Sequence, residues 1–187
     1  VPTKNIEILK NGGVGVIPTD TIYGLVGSAL SKEAVLRITK IKNRADGKGF
    51  IVLISSVEDL KLFGIIISDR LGHFLSKYWP GKVSVELNVS SPEFNYLKKD
   101  EQKIAFRFPD KADLIQLLKQ TGPLIAPSAN KEGERPAKNI EEAKKYFGDN
   151  VDFYEDGGEL DSAPSTLVRI AGDKVEVIRQ GAVVIEP

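Results

Sequence analysis

The sequence predicts an α/β fold: one domain, residues 1–187, built on a twisted sheet of mixed parallel and antiparallel strands flanked by helices. Three observations predict it. Short apolar runs closed by Pro or Gly alternate with stretches of three- and four-residue apolar periodicity along the whole chain. With 187 residues, 41% of them hydrophobic, the chain can bury one substantial core and is short for two. Lys82 to Val89 alternates apolar and polar residues, as expected of a strand with one wet face. It and the C-terminal strands read as hairpin or meander partners, which makes the sheet mixed.

The elements follow in order. Ile6, Ile8 and Leu9 form the apolar side of a first helix that stops at Asn11-Gly12-Gly13. Val14 to Ile17 is a strand closed by Pro18. From Ser31, the spacing of Ala34, Val35, Ile38 and Ile41 predicts an amphipathic helix, with Arg37, Lys40 and Lys42 towards its C-terminal end, where cations suit the dipole. Phe50 to Ile54 is an apolar strand, and Ser55-x-x-Glu58 reads as a capping box opening a helix to about Phe63. Asp69 to Trp79 is a helix stopped by Pro80-Gly81. Ile104 to Phe108 is a strand, Ala112 to Gln120 a helix, and Leu124 to Ala126 a short buried strand ending at Pro127. Ser128 to Pro136 is a polar loop. Asn139-x-x-Glu142 caps a helix ending at Phe147-Gly148, and Val151 to Tyr154, Thr166 to Ile170 and Val175 to Ile178 supply three more strands.

Composition limits the chemistry. Without cysteine there is no disulfide, thiolate nucleophile or cysteine-ligated metal, and the single histidine, His73, excludes chemistry that needs two imidazoles. Lys, Arg, Ser, Thr, carboxylates and backbone remain. Twenty-six basic and twenty-six acidic residues cancel, so any polyanion site must be local. No run approaches the roughly 18 apolar residues of a membrane span, and Val1 to Lys10 lacks the apolar core of a signal peptide, so no membrane association and a cytoplasmic location are expected. The 28% of charged residues would suit a heat-tolerant protein.

Several polar groups fall just past strands or at a helix end, where α/β sheets bind ligands. Lys42-Asn43-Arg44 with Lys48 could neutralise a phosphate chain, or could simply complement the helix dipole. Pro127-Ser128-Ala129-Asn130 offers a hydroxyl and an amide to phosphate or ribose oxygens, or forms a side-chain turn. Thr19, Asp20 and Thr21 set two hydroxyls around a carboxylate, again with a turn as the alternative. Alternation places Arg107 opposite Phe106 and Phe108, as a carboxylate clamp or a surface ion pair. His73, between Leu71 and Phe74, reads as structural or solvent-facing. Neither a P-loop nor a Gly-x-Gly-x-x-Gly fingerprint is present, so a nucleotide would be held by scattered residues.

In order, Ile17-Pro18-Thr19-Asp20-Thr21-Ile22-Tyr23-Gly24-Leu25, Lys42-x-Arg44, Trp79-Pro80-Gly81, Ala105-Phe106-Arg107-x-Pro109, Ala126-Pro127-Ser128-Ala129-Asn130, Pro164-Ser165-Thr166 and Arg179-x-Gly181 resemble the YrdC-like threonylcarbamoyl-adenylate synthases, in their single-domain form, from about Asn11 to Gly181. The resemblance implies a nucleotidyltransferase that condenses L-threonine, bicarbonate and ATP to threonylcarbamoyl-AMP and pyrophosphate, for threonylcarbamoyladenosine modification of tRNA. It implies a concave basic cavity in which Lys42, Arg44, Ser128 and Asn130 form a catalytic tetrad. Arg44, Lys48, Ser128, Asn130 and Arg179 would face ATP. Thr19 or Thr21, Arg107 and Ser165 would face threonine, with Arg107 on its carboxylate. Mg2+ would accompany the nucleotide without a dedicated protein metal site. The product would pass to separate tRNA threonylcarbamoyl-transferase proteins, with at most a weak tRNA contact of its own.

Three positions depart from the family pattern: Ala45 replaces a proline, Leu53 stands where many relatives have a histidine near threonine, and Lys138 stands where Ser or Thr is common near the nucleotide. Two other functions compete: a carbamoyl-adenylate former of the hydrogenase-maturation type, whose larger chains carry further zinc-finger and acylphosphatase segments, and a basic-cavity RNA-binding module without catalysis.

Overall fold

Side-chain caps fix where most helices begin in the computed structural model, which describes residues 2–43, 49–98, 103–171 and 174–186. Ser31 accepts a hydrogen bond from the Ala34 N–H at 3.2 Å and opens α2, Lys32–Lys42. Ser68 does the same for α3, Asp69–Tyr78, and Asn139 for α5, Ile140–Phe147. The remaining helices are α1, Thr3–Lys10, and α4, Ala112–Thr121. None is long and apolar enough to cross a membrane among the described residues.

The strands are β1 (Val14–Pro18), β2 (Tyr23–Ser28), β3 (Ile51–Leu53), β4 (Val83–Asn88), β5 (Lys103–Arg107), β6 (Leu124–Ile125), β7 (Phe153–Tyr154), β8 (Thr166–Ala171) and β9 (Lys174–Arg179). They form a single nine-stranded sheet in the order β7-β1-β2-β6-β3-β5-β4-β8-β9. Pairings β1/β7, β3/β5 and β4/β8 are parallel and the other five antiparallel, so the sheet is mixed as expected.

Burial separates the two faces. Val16, Leu25, Val52, Val85 and Phe106 point into the larger core, against Val35 and Ile38 of α2, Leu71 and Leu75 of α3, and Ala143 and Phe147 of α5. Ile17, Val26, Leu53 and Leu124 point the other way, against Ile6 and Leu9 of α1 and Leu114, Leu117 and Leu118 of α4. In the smaller core, α1 and α4 meet residues of β1, β2, β3, β6 and β7, and none from β4, β5, β8 or β9. That part of the face carries Arg107, Ala105, Glu86 and Leu167, which line a cavity.

Four local expectations are corrected. Tyr23–Ser28, unread as a strand because Gly24 and Gly27 dilute its apolar pattern, is central to the sheet. Gly27 earns its place by proximity: a Cβ there would sit 3.0 Å from Ile38 and 3.3 Å from Ala34, so its absence lets α2 pack close. The 55–63 segment is capped one residue later than expected. The Asp59 carboxylate, rather than Glu58, accepts from the Ser55 and Ser56 N–H groups, and Val57–Phe63 is a 3-10 helix. The polar side of β4 is wet only at its end: Asn88 is exposed, but Ser84 is fully buried and Glu86 is clamped by Arg169. Finally, β8 and β9 form the expected hairpin, but β4 joins β8 in parallel.

Candidate functional site

A cavity of about 440 Å³ lies over this uncovered region of the sheet. Its floor follows from the two-residue period of β5, which turns Phe106 into the core and Lys103, Ala105 and Arg107 towards the opening. The loop after β1, the strand-like run after β6 and the Pro164–Ser165 approach to β8 supply its walls.

One end is built around Arg107, which is 4% exposed. Its Nη1 is ion-paired with Asp20, whose other oxygen accepts the Asp110 N–H at 3.3 Å. Its Nε is buried and has no acceptor among the described residues, which leaves a donor for an incoming acceptor. Beside it, Arg179 Nη2 donates to the Ser165 carbonyl at 2.8 Å, and Ser165 Oγ lies 2.8 Å from Ser84 Oγ. Burial first, and then the like charge of Arg107, pushes the Arg179 guanidinium below its ordinary range. A second cation so close to Arg107 makes this end of the cavity a favourable place for an anion.

Close backbone approach holds this end together. A Cβ on Gly181 would fall 2.3 Å from the Pro164 carbonyl oxygen and 2.6 Å from that of Ser165, while the Gly181 N–H donates to Thr166 Oγ1 at 3.1 Å. The Pro-Ser-Thr and Arg-x-Gly segments are therefore two sides of one joint. Thr19 and Thr21 both line the cavity. Thr19 Oγ1 donates to the Ile22 carbonyl at 2.7 Å and accepts from the Thr21 and Ile22 N–H groups, so it spends its hydroxyl on shaping its own loop. Tyr23 anchors that loop from below: its hydroxyl donates to the Gly158 carbonyl and accepts the Gly157 N–H, each at 2.8 Å. Burial pushes the Tyr23 phenol above its usual range, with the nearby Asp156 carboxylate adding to the effect against the opposing Gly157 hydrogen bond.

The other end is set by Lys42. Its ammonium, 2% exposed in residue terms, donates to the Ser128 carbonyl at 2.5 Å, the Asn130 carbonyl at 2.6 Å and Asn130 Oδ1 at 3.4 Å. Asn130 Nδ2 in turn donates to the Lys131 and Glu134 carbonyls at 2.8 and 2.7 Å. The Ala129 N–H donates to Tyr23, and the Leu25 N–H to Pro127, which lays the loop along β2. Lys42, Ser128 and Asn130 thus come together. Ser128 lines the cavity, whereas the Lys42 and Asn130 side chains are engaged in holding the loop.

Arg44, Ala45 and Lys48 lie outside the described residues, although Gly49 and Phe50, which follow them, line the cavity. Leu53 is fully buried in the smaller core and is not among the cavity-lining residues. Lys138 pairs with Asp161 at 2.7 Å, and His73 is exposed. Sequence reasoning missed Glu86 and Lys103 as lining residues, and Asp20 as the partner of Arg107. Alternation along β4 places Glu86 on the face of Ser84, but only the β4/β5 register brings that face beside Arg107.

The chain is similar to known proteins over most of its length. The family model Sua5_yciO_yrdC, described as "Telomere recombination", matches residues 7–181. A putative threonylcarbamoyl-AMP synthase of Mycobacterium tuberculosis is 31% identical over 183 residues, covering 97% of this chain and 84% of the relative. The threonylcarbamoyl-AMP synthase of Marinobacter nauticus is 32% identical over 145 residues, 75% of each chain. Among solved structures, P. abyssi Sua5 complexed with L-threonine superposes with a TM-score of 0.85 at 25% identity, and E. coli YciO with 0.85 at 26%. The match covers 95% of this chain in both cases, with 87% of YciO but only 53% of the Sua5 chain, so this chain spans about half the length of Sua5.

Proposed function

The chain belongs to the Sua5/YciO/YrdC family, and from that premise we propose that it is a threonylcarbamoyl-AMP synthase acting as one YrdC-like domain over residues 1–187. The observation that carries the proposal is the convergence of Arg107, Arg179 and Ser165 on one cavity, with an Arg107 donor that has no partner among the described residues. Arg107 and Ser165 receive the threonine carboxylate, and Thr21 adds a hydroxyl. ATP enters as its magnesium complex, the ion held by phosphate and water. Its phosphates meet Ser128 and Arg179, together with Arg44 and Lys48 from the adjoining segment. Lys42 and Asn130 complete the tetrad by fixing the backbone that presents Ser128.

The chemistry needs no protein nucleophile. The threonine amine condenses with bicarbonate to a carbamate and water, a carbamate oxygen attacks the α-phosphorus, and pyrophosphate leaves. The protein aligns the two reactants, and its cations stabilise charge on the departing oxygens. In the cell the adenylate serves tRNA threonylcarbamoyladenosine formation, through separate transferase proteins.

The test is an incubation with ATP, magnesium, L-threonine and 14C-bicarbonate. Pyrophosphate release and a labelled adenylate are expected only when threonine is present. Release of pyrophosphate without threonine contradicts the amino-acid assignment.

A further inference from the structure

Arg107 and Glu86 face the same cavity from neighbouring antiparallel strands. Glu86 sits directly opposite Ala105, which makes Glu86 and Arg107 diagonal neighbours, a relation that sets Cα atoms about 7–8 Å apart, within reach of long side chains. Opposite charges so placed would be expected to pair. They do not, because each is held by a different partner. Asp20 takes Arg107 Nη1, and Arg169 brings both Nε, at 2.9 Å, and Nη2, at 2.7 Å, to the Glu86 Oε2 atom.

Each group is left with unused capacity. Arg107 keeps a donor at Nε, and Glu86 Oε1 has no hydrogen-bond partner among the described residues. The Glu86 side chain is only 11% exposed, so this is a largely desolvated acceptor. Glu86 is also the sole carboxylate among the described residues of the cavity wall. Lys103 lines the same wall on the far side of Ala105, so the negative charge is local to Glu86 and bracketed by cations.

We infer that Arg107 and Glu86 form a separated charge pair that recognises the amino acid as a zwitterion, with Arg107 taking its α-carboxylate and Glu86 Oε1 taking its α-ammonium. Asp20 and Arg169 are positioning residues: they supply the counter-charge that keeps the two from collapsing onto each other. The arrangement selects for a free α-amino group, the group that must later become the carbamate nitrogen. This rests on the amino-acid assignment made above, and it names a contact which that assignment leaves open.

The test compares binding of L-threonine and of 3-hydroxybutyrate, which has the carboxylate and hydroxyl but no amine, by calorimetry. In the unaltered protein threonine should bind at least tenfold more tightly than 3-hydroxybutyrate. Glu86→Gln should lose at least tenfold in threonine affinity, leave 3-hydroxybutyrate binding unchanged, and change ATP affinity by less than twofold. Should the single variant fold poorly, Glu86→Gln with Arg169→Met removes the ion pair as a unit and should show the same selective loss. A variant that binds threonine within twofold of the unaltered protein overturns the inference, as does an unaltered protein that binds both compounds equally. If the unaltered protein binds ATP but no amino acid, the amino-acid assignment fails first and Glu86 loses its ligand with it.

Discussion

Lys42→Met is expected to lower adenylate formation by roughly a hundredfold and to loosen residues 128–134, although Lys42 is not a wall residue of the cavity. The substitution strips a donor from the Ser128 carbonyl, the Asn130 carbonyl and Asn130 Oδ1 at once; the Ser128 carbonyl keeps the Asn130 N–H at 2.9 Å, whereas a buried acceptor left unpaired costs about 1–3 kcal/mol. The loop lies along β2 through the Leu25 and Ala129 N–H bonds. Loss of its anchor moves Ser128, and a displacement of about 1 Å at a reacting centre can cost on the order of 100-fold in rate. Hydrogen exchange separates this from loss of a direct phosphate contact. Faster exchange confined to 128–134 is the expected result, whereas an unchanged exchange pattern with equally reduced turnover would make Lys42 a phosphate ligand instead.

Arg107→Ala is expected to raise the KM for threonine by at least a hundredfold with little change in that for ATP. A charge-assisted hydrogen bond from the buried guanidinium contributes up to about 3 kcal/mol. The same change strands the Asp20 carboxylate, whose side chain is only 3% exposed, and removal of one partner of a buried pair costs roughly 3–5 kcal/mol of stability. Arg107→Gln combined with Asp20→Asn restores a neutral pair and should recover much of the melting temperature without recovering threonine affinity. Recovery of both would assign Arg107 to folding alone.

The separation between positioning and contact was not legible in the sequence. Lys42, Ser128 and Asn130 could be picked out by type and place, because an apolar strand followed by Ser-x-Asn, and a helix ending in Lys, are local signals. That the Lys42 ammonium points at backbone carbonyls depends on how closely α2 approaches β2, which Gly27 permits and no pattern of polarity announces. The same glycine, with Gly24, hid β2 itself. Arg107 was placed by simple alternation within Ile104 to Phe108, and the structure keeps that alternation, with Ile104 and Phe106 in the larger core and Ala105 and Arg107 on the cavity. Its partner Asp20 lies 87 residues earlier, beyond the reach of any local rule. Glu86 is the clearest case. As one polar residue in an alternating strand it reads as solvent-facing, and only the long-range pairing of β4 with β5 and β8 turns that face into a cavity floor. Element types were largely readable because hydrophobic periodicity and caps are local. Register was not, because it is set by strands that meet only in the folded sheet.

On the proposed function, one cavity aligns an amino-acid carboxylate on Arg107 with a triphosphate on Ser128 and Arg179. A crystal structure with L-threonine and a non-hydrolysable ATP analogue tests it most directly. The expected density puts the threonine carboxylate within hydrogen-bonding distance of Arg107 and Ser165, with its nitrogen directed between Glu86 and the α-phosphate. Threonine bound with its carboxylate away from Arg107, or nucleotide phosphates outside the cavity, would contradict the account.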